Sequence, residues 1–177
     1  MSKRDALRAL GKRFPAPSEL TKTLDAAYEQ PDRSAAIVAT AIIESILEKI
    51  IVARLKHKEP DLIGKLFKDR GPLSDFHSKI LVATAFGVIS PNMGSELHRI
   101  KAIRNVFAHA KIDVNFDTPE IAEEVNGFLM LKAMQSVASD SKDISVSNKR
   151  TFILMIRILC IMISTDHKTV SGEELVI

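Results

Sequence analysis

Apolar residues recur along most of the chain at intervals of three and four positions, the spacing that places them on one face of an α-helix. Alternating apolar and polar runs bounded by turn residues, which predict β-strands, are nearly absent. Glycine and proline are scarce, with seven of each in 177 residues. The pattern predicts an all-α protein, and the length fits a single domain over residues 1–177.

Breaks in this pattern divide the chain into the helices of a bundle, with four main helices and short accessory ones. Ser18, Ser74 and Ser90 are predicted N-caps, because a serine hydroxyl can accept a hydrogen bond from a free N–H of the first turn. Pro91 follows Ser90 and is favoured at the first helical position. The predicted helices cover residues 3–13, 18–30, 32–57 (or 34–57), 60–68, 75–89, 91–110, 118–137 and 148–164. Residues 1–17 are expected to form a basic arm, 138–147 an exposed connection and 167–177 a frayed tail.

Composition favours a soluble domain, since 46% of the residues are hydrophobic and 27% are charged. The two longest apolar runs are residues 35–53 and 152–163. Neither fits a membrane span, because the first contains Glu44 and Glu48 and the second is only about 12 residues long and contains Arg157. The basic N-terminal sequence has no apolar stretch of the kind found in secretory signals. We therefore expect a cytoplasmic protein that does not enter the membrane.

Metal and cofactor chemistry is not indicated. Cys160 is the only cysteine, which excludes a disulfide framework and a cysteine-based zinc site. Nucleotide-binding, hydrolase and common metal-binding motifs are missing. His98 and His109 are 11 positions apart, about 16 Å along a helix, which is too far to share one metal ion. The sequence predicts no cofactor and no metal.

The charge permits an acidic partner without demanding one. The net charge is +3 and the isoelectric point is near 9.0, and positive charge is concentrated in the N-terminal arm and in residues 54–70 and 98–111. RNA or DNA is compatible with such a balance. However, no helix pair with a tight glycine turn carries a basic recognition helix, so a helix-turn-helix DNA reader is not indicated.

The segment LHRIKAIRNVFAHA, residues 97–110, carries the candidate chemistry. At 100° per residue, its apolar positions Ile100, Ile103, Phe107 and Ala110 fall on one arc that should face the core. A polar stripe lies on the opposite side and consists of His98, Lys101, Asn105 and His109. Arg104 is about 140° from His109 around the helix, and its long side chain can still reach toward the stripe.

These residue types suit phosphodiester chemistry. The imidazole of His109 can exchange a proton near neutral pH. Arg104 can hold phosphate oxygens and stabilise developing negative charge, and Asn105 could orient either group. His98, Arg99 and Lys101 are candidate contacts to nucleic-acid phosphates, and Glu44 of the preceding long helix could support the site. An ordinary solvated helix face explains the same residues.

The motif R-N-V-F-A-H, residues 104–109, resembles the R-x4-6-H signature of the HEPN superfamily, in which a polar residue, often asparagine, follows the arginine. HEPN domains are small helical bundles that usually dimerise, and many are metal-independent endoribonucleases. The resemblance implies a site formed by Arg104, Asn105 and His109. It also implies a homodimer, in which two chains supply the acid and the base to one RNA strand.

A second resemblance covers residues 33–125. The segment GPLSDFHSKILVATAFGVIS, residues 71–90, followed by an arginine and a histidine at this spacing, is similar to the mannitol operon repressor family. The matching positions are Gly71, Pro72, Leu73, Asp75, Gly87 and Ile89. Physically, they indicate a turn, a helix start and a helix end. The resemblance implies a transcriptional regulator with a helical fold.

Two hypotheses follow. The first is a metal-independent endoribonuclease that uses Arg104, Asn105 and His109 and leaves a 2′,3′-cyclic phosphate. The second is a non-catalytic regulator that binds protein or nucleic acid through the same face. A protein regulator or an antitoxin is a further candidate partner. Burial and pairing of Arg104 and His109 within one subunit would favour the regulator.

Overall fold

The computed structural model describes residues 6, 17–68, 70–132 and 146–171, and these ranges contain helices and no strands. The prediction of an all-α bundle is confirmed. The helices are α1 (Pro17–Tyr28), α2 (Asp32–Arg54), α3 (Pro60–Phe67), α4 (Phe76–Ala85), α5 (Pro91–His109), α6 (Pro119–Asn126) and α7 (Asn148–Ser171). Apart from residue 6, the predicted helix over residues 3–13 lies outside the described residues, as does most of the predicted connection over 138–147.

Helix α2 is the centre of the bundle. It packs against α1, α4, α5 and α7, and its most extensive contacts are with α7 and α5. Its buried side chains lie on more than one side of the helix, as the sequence predicts for a central helix. They are Ala35, Ala36, Ala39, Thr40, Ile42, Ile43, Ile46, Leu47, Ile50 and Ile51.

Three aromatic rings link α5, the loop that follows it and α7. The ring of Phe107 in α5 lies 4.8 Å from that of Phe116, which lies 5.1 Å from that of Phe152 in α7. All three side chains are at most 1% exposed. Tilted aromatic pairs at these distances stabilise packing beyond the area that they bury. Phe116 therefore anchors the loop after α5 between two helices.

The segment from residue 71 to residue 90 contains three local signals that shape the fold. A Cβ atom at Gly71 would lie 2.4 Å from the carbonyl oxygens of Lys65 and Leu66, so only glycine fits there. Gly87 has a φ of 66°, in the left-handed region that glycine adopts without strain. Ser90 caps α5 by accepting a hydrogen bond from the Met93 N–H at 3.2 Å, as predicted.

The cap of α4 differs from the prediction. Asp75, and not Ser74, is the N-cap, and its carboxylate accepts a hydrogen bond from the Ser78 N–H at 3.0 Å. Hydrogen bonds from the side chain and backbone of Ser78 lower the pKa of Asp75. Helix α4 also ends at Ala85 and does not reach residue 89, because the chain turns at Gly87.

Other helix ends also differ from the predicted ones. Helix α1 begins at Pro17, which places Ser18 inside the helix, and α2 ends at Arg54 before the predicted residue 57. The predicted helix over 118–137 is interrupted at Gly127 and Phe128 before helical residues resume at 129. Helix α7 continues to Ser171, seven residues beyond its predicted end at residue 164. Residues 172–177 lie outside the described part. No helix in the described ranges is long and apolar enough to cross a membrane.

Candidate functional site

Helix α5 presents the predicted apolar arc to the core. Ile100, Ile103 and Phe107 are each at most 1% exposed, whereas Ala110, the fourth residue of the predicted arc, is half-buried and follows the end of the helix. The opposite side of the helix faces solvent, where Ala102, Val106 and His109 are exposed. The surface formed by His98, Lys101, Ala102, Asn105, Val106 and His109 is called the α5 face below.

A network of charged side chains joins α2, α4 and α5. Lys79 of α4 is 4% exposed, and its Nζ lies 2.9 Å from Oε1 of Glu44 and 2.7 Å from Oε2 of Glu48. Arg104 of α5 completes the network, with Nη2 at 3.6 Å from Oε2 of Glu44. Arg104 also donates a hydrogen bond from Nη1 to Oδ1 of Asn105 at 3.1 Å. Two carboxylates thus neutralise two cations within one chain.

Lys79 and Glu48 are the members of this network that the sequence does not reveal. Lysine side chains are mostly exposed in folded proteins, whereas Lys79 is almost fully buried. Burial lowers the pKa of Lys79, but hydrogen bonds and charges from Glu48 and Glu44 outweigh burial and raise its pKa above the usual value. The sequence near Lys79 gives little indication of its burial, because the carboxylates that pair with it, Glu44 and Glu48, belong to another helix.

His109 is separate from this network. Its side chain is exposed, and within the described residues it has neither a hydrogen bond nor an ion pair. The guanidinium of Arg104 points to Glu44 and Asn105 instead. The structure therefore joins Arg104 to Asn105 and Glu44, and neither of these contacts includes His109.

The residues that the sequence predicts to contact phosphate lie on two different sides of α5. The His98 ring lies 5.1 Å from the His77 ring of α4. Burial, the charge of His77 and the charge of Lys101 lower the pKa of His98, which favours its neutral form. Arg99 is turned away toward α6, where its Nη1 lies 2.7 Å from Oε2 of Glu124. His98 and Lys101 thus share one surface, and Arg99 belongs to another.

Gly127 makes the position of Arg99 possible. A Cβ atom at residue 127 would lie 2.3 Å from Nη1 of Arg99. The guanidinium therefore occupies the space that a larger residue would fill. No group of three or more potential metal ligands occurs within the described ranges.

Comparison with known proteins identifies a structural neighbour. No protein-family profile matches the chain. No curated protein matches its sequence. The fold is similar to a chain in the X-ray structure of the MtlR-HPr complex from Escherichia coli, with a TM-score of 0.63 and 18% sequence identity. The match covers 83% of this chain and 97% of the other. At this identity the likeness shows a shared, MtlR-like fold.

Proposed function

We propose that this chain is a non-catalytic, MtlR-like regulator that binds a partner protein through the α5 face. The observation that carries the proposal is the pairing of Arg104 with Glu44 and Asn105 inside the subunit. An arginine that stabilises a phosphoryl group must present its N–H groups to that group. Here the nearest acceptors are protein oxygens, and the Glu44 carboxylate would repel an approaching phosphate.

The α5 face has the composition of a protein-binding surface. Val106 is 44% exposed, although it lies on a helix whose other large apolar side chains are buried. Small Ala102 lies one turn before it, and Lys101 and His109 flank it. An apolar contact with a polar, positively charged rim fits a partner that presents an apolar side chain surrounded by acidic groups.

The structural neighbour supplies the first partner to test. MtlR was crystallised with HPr, so HPr from the same organism as this chain is the probe. Isothermal titration calorimetry is expected to detect a complex with the wild-type protein. Val106→Glu should weaken binding at least tenfold, because it introduces a charge at the centre of the face.

Leu62→Glu provides the matched control, because Leu62 is 39% exposed on α3. It is expected to bind HPr like the wild type. Equal binding by Val106→Glu and wild type would exclude the α5 face. Failure of HPr to bind at tens of micromolar would exclude HPr as the partner, and affinity capture with the Val106→Glu and Leu62→Glu pair would then test the face itself.

Endoribonuclease activity is the second candidate. It is favoured by the exposed, unpaired imidazole of His109 on the same face as Lys101 and Asn105. In this hypothesis, a homodimer would bring two such faces to one RNA strand. The test is incubation of purified protein with labelled single-stranded RNA in EDTA, with the products examined for 2′,3′-cyclic phosphate ends.

The control for the RNA experiment is a second exposed histidine, His57, which lies outside the α5 face. Cleavage by wild type and His57→Ala but not by His109→Ala would establish the nuclease. Intact RNA, or equal cleavage by all three proteins, leaves the regulator as the function. Light scattering on the same samples measures whether the protein is a dimer.

A further inference from the structure

A small cavity lies between α5, the start of the helical segment at residues 129–132, and α7. Its volume is about 300 Å³, at the lower end of the range for ligand pockets. Most of its wall is apolar and contains three thioethers. The residues that line it are Ser90, Asn92, Met93, Glu96, Leu129, Met130 and Met162.

Glu96 is the charged residue in this wall, and it is only 1% exposed. Its Oε1 accepts a hydrogen bond from the Leu129 N–H at 2.7 Å. This bond satisfies the first backbone N–H after the interruption at Gly127 and Phe128. Glu96 therefore explains how the chain restarts a helix there.

The second carboxylate oxygen of Glu96 has no such explanation. Oε2 is buried and has no hydrogen-bond partner in the described part of the protein. No described cation pairs with Glu96, and Arg99, the basic residue one turn along α5, binds Glu124 instead. A buried carboxylate oxygen without a donor is strongly unfavourable, so a donor from outside the chain would gain a strong interaction here.

We propose that this cavity binds a small organic cation, an ammonium group on a compact apolar body, with Glu96 as the counter-ion. Glu96 lines the cavity, and an ammonium group supplies the hydrogen-bond donors and the positive charge that can pair with its carboxylate. The apolar body packs against Met93, Met130 and Met162, whose flexible, polarizable side chains adapt to different shapes. The volume admits a small molecule and excludes a folded peptide segment. This site is independent of the proposed partner-binding function.

The experiment compares cyclohexylamine, which is protonated at neutral pH, with its neutral analogue cyclohexanol. Binding is measured by isothermal titration calorimetry and by ligand-detected NMR. Wild-type protein is expected to bind the amine at least tenfold more tightly than the alcohol. E96Q should lose this preference, because glutamine keeps an acceptor for the Leu129 N–H but removes the charge.

Two further variants complete the design. E120Q changes an exposed glutamate of α6 and is expected to bind the amine like wild type. Met162→Trp fills the cavity from its partly exposed wall and leaves Glu96 in place, so it should abolish binding of both ligands even if E96Q does not fold. The proposal is overturned if the amine binds no more tightly than the alcohol, if E96Q or Met162→Trp binds the amine like wild type, or if no binding is detected at 10 mM.

Discussion

The Nζ atom of Lys79 lies 2.9 Å from Oε1 of Glu44, so an ion pair with one almost fully buried partner joins α4 to the central helix α2. The same carboxylate also holds Arg104 of α5. One glutamate therefore connects two helices to the centre of the bundle.

Removal of the Lys79 charge is expected to destabilise the protein. Lys79→Met removes the ammonium group shared by Glu44 and Glu48 and leaves Arg104 as the remaining cation on Glu44. It should lower the free energy of unfolding by about 2–3 kcal/mol, which is below the full cost for a deeply buried pair because Glu48 is partly exposed. Urea unfolding monitored by circular dichroism measures the loss. Lys65→Met changes an exposed lysine of α3 and should have an effect within about 0.5 kcal/mol of zero. Equal losses in the two variants would contradict a stabilising role.

The same pair predicts a response to alkaline pH. The folded-state pKa of Lys79 is raised above the value near 10.5 of an unfolded chain. Its contribution is therefore complete below pH 10.5 and is lost as the pH rises through the folded-state pKa. The difference in unfolding free energy between wild type and Lys79→Met should narrow only in this alkaline range. A difference that narrows between neutral pH and pH 9 would contradict this assignment.

The effects of glycine-to-alanine substitutions on stability should follow the surroundings of the new Cβ atom. Gly71→Ala places it against backbone carbonyl oxygens and should cost about 2 kcal/mol or more. Gly87→Ala meets no atom but keeps a positive φ, which costs about 1 kcal/mol. At Gly64, within α3, a Cβ would make only an ordinary contact with the Lys68 side chain at 4.0 Å, so Gly64→Ala should stabilise the protein by about 0.5–1 kcal/mol. Thermal and urea unfolding of the three variants test the order, and a neutral Gly71→Ala would show that the turn can move.

His98 should titrate below the usual histidine pKa of 6.5. Burial is the main cause, and the charges of His77 and Lys101 add to it. Lys101→Met and His77→Asn are each expected to raise the pKa of His98 toward its usual value, which NMR titration of the imidazole Cε1–Hε1 signals can follow. Because the folded-state pKa is lowered, the folded state loses stability as the pH falls from 6.5 through that pKa. An unchanged pKa in both variants would leave burial as the sole cause.

Cys160 should be unreactive in the native state. Its side chain is buried, and burial raises the pKa of the thiol to about 12, so little thiolate exists at pH 8. Ellman's reagent is expected to label the native protein slowly and the urea-unfolded protein at once. Fast labelling of the native protein would indicate that α7 opens locally.

Local features of the fold could be predicted from the sequence because their causes are close together in the chain. The spacing of Ile100, Ile103 and Phe107 predicts the buried side of α5, and Ser90 before Pro91 predicts where that helix begins. Gly87 indicates a helix end, although its left-handed conformation stops α4 earlier than the apolar pattern suggests.

Features that depend on distant partners could not be predicted in this way. Lys79 is polar in the sequence and buried in the fold because its partner Glu44 lies 35 positions earlier. Glu96 likewise depends on Leu129, 33 positions later. For the candidate site, the sequence selects Arg104 and Glu44, but only the tertiary structure shows that Arg104 pairs with Glu44 and Asn105. The catalytic and nucleic-acid-binding roles stay predictions that the experiments above address.

The packing of α7 against α2 has a consequence during synthesis. Ile43 and Leu47 of α2 are completely buried in the finished bundle, where α7 is among the main partners of their helix. The ion pair between Asp25 and Arg157 spans 132 positions of the chain. At about 5–20 residues per second, the ribosome needs on the order of ten seconds to proceed from the end of α2 to the end of α7. During that interval the nascent chain carries an incompletely covered apolar helix, the kind of surface that favours aggregation until it is buried.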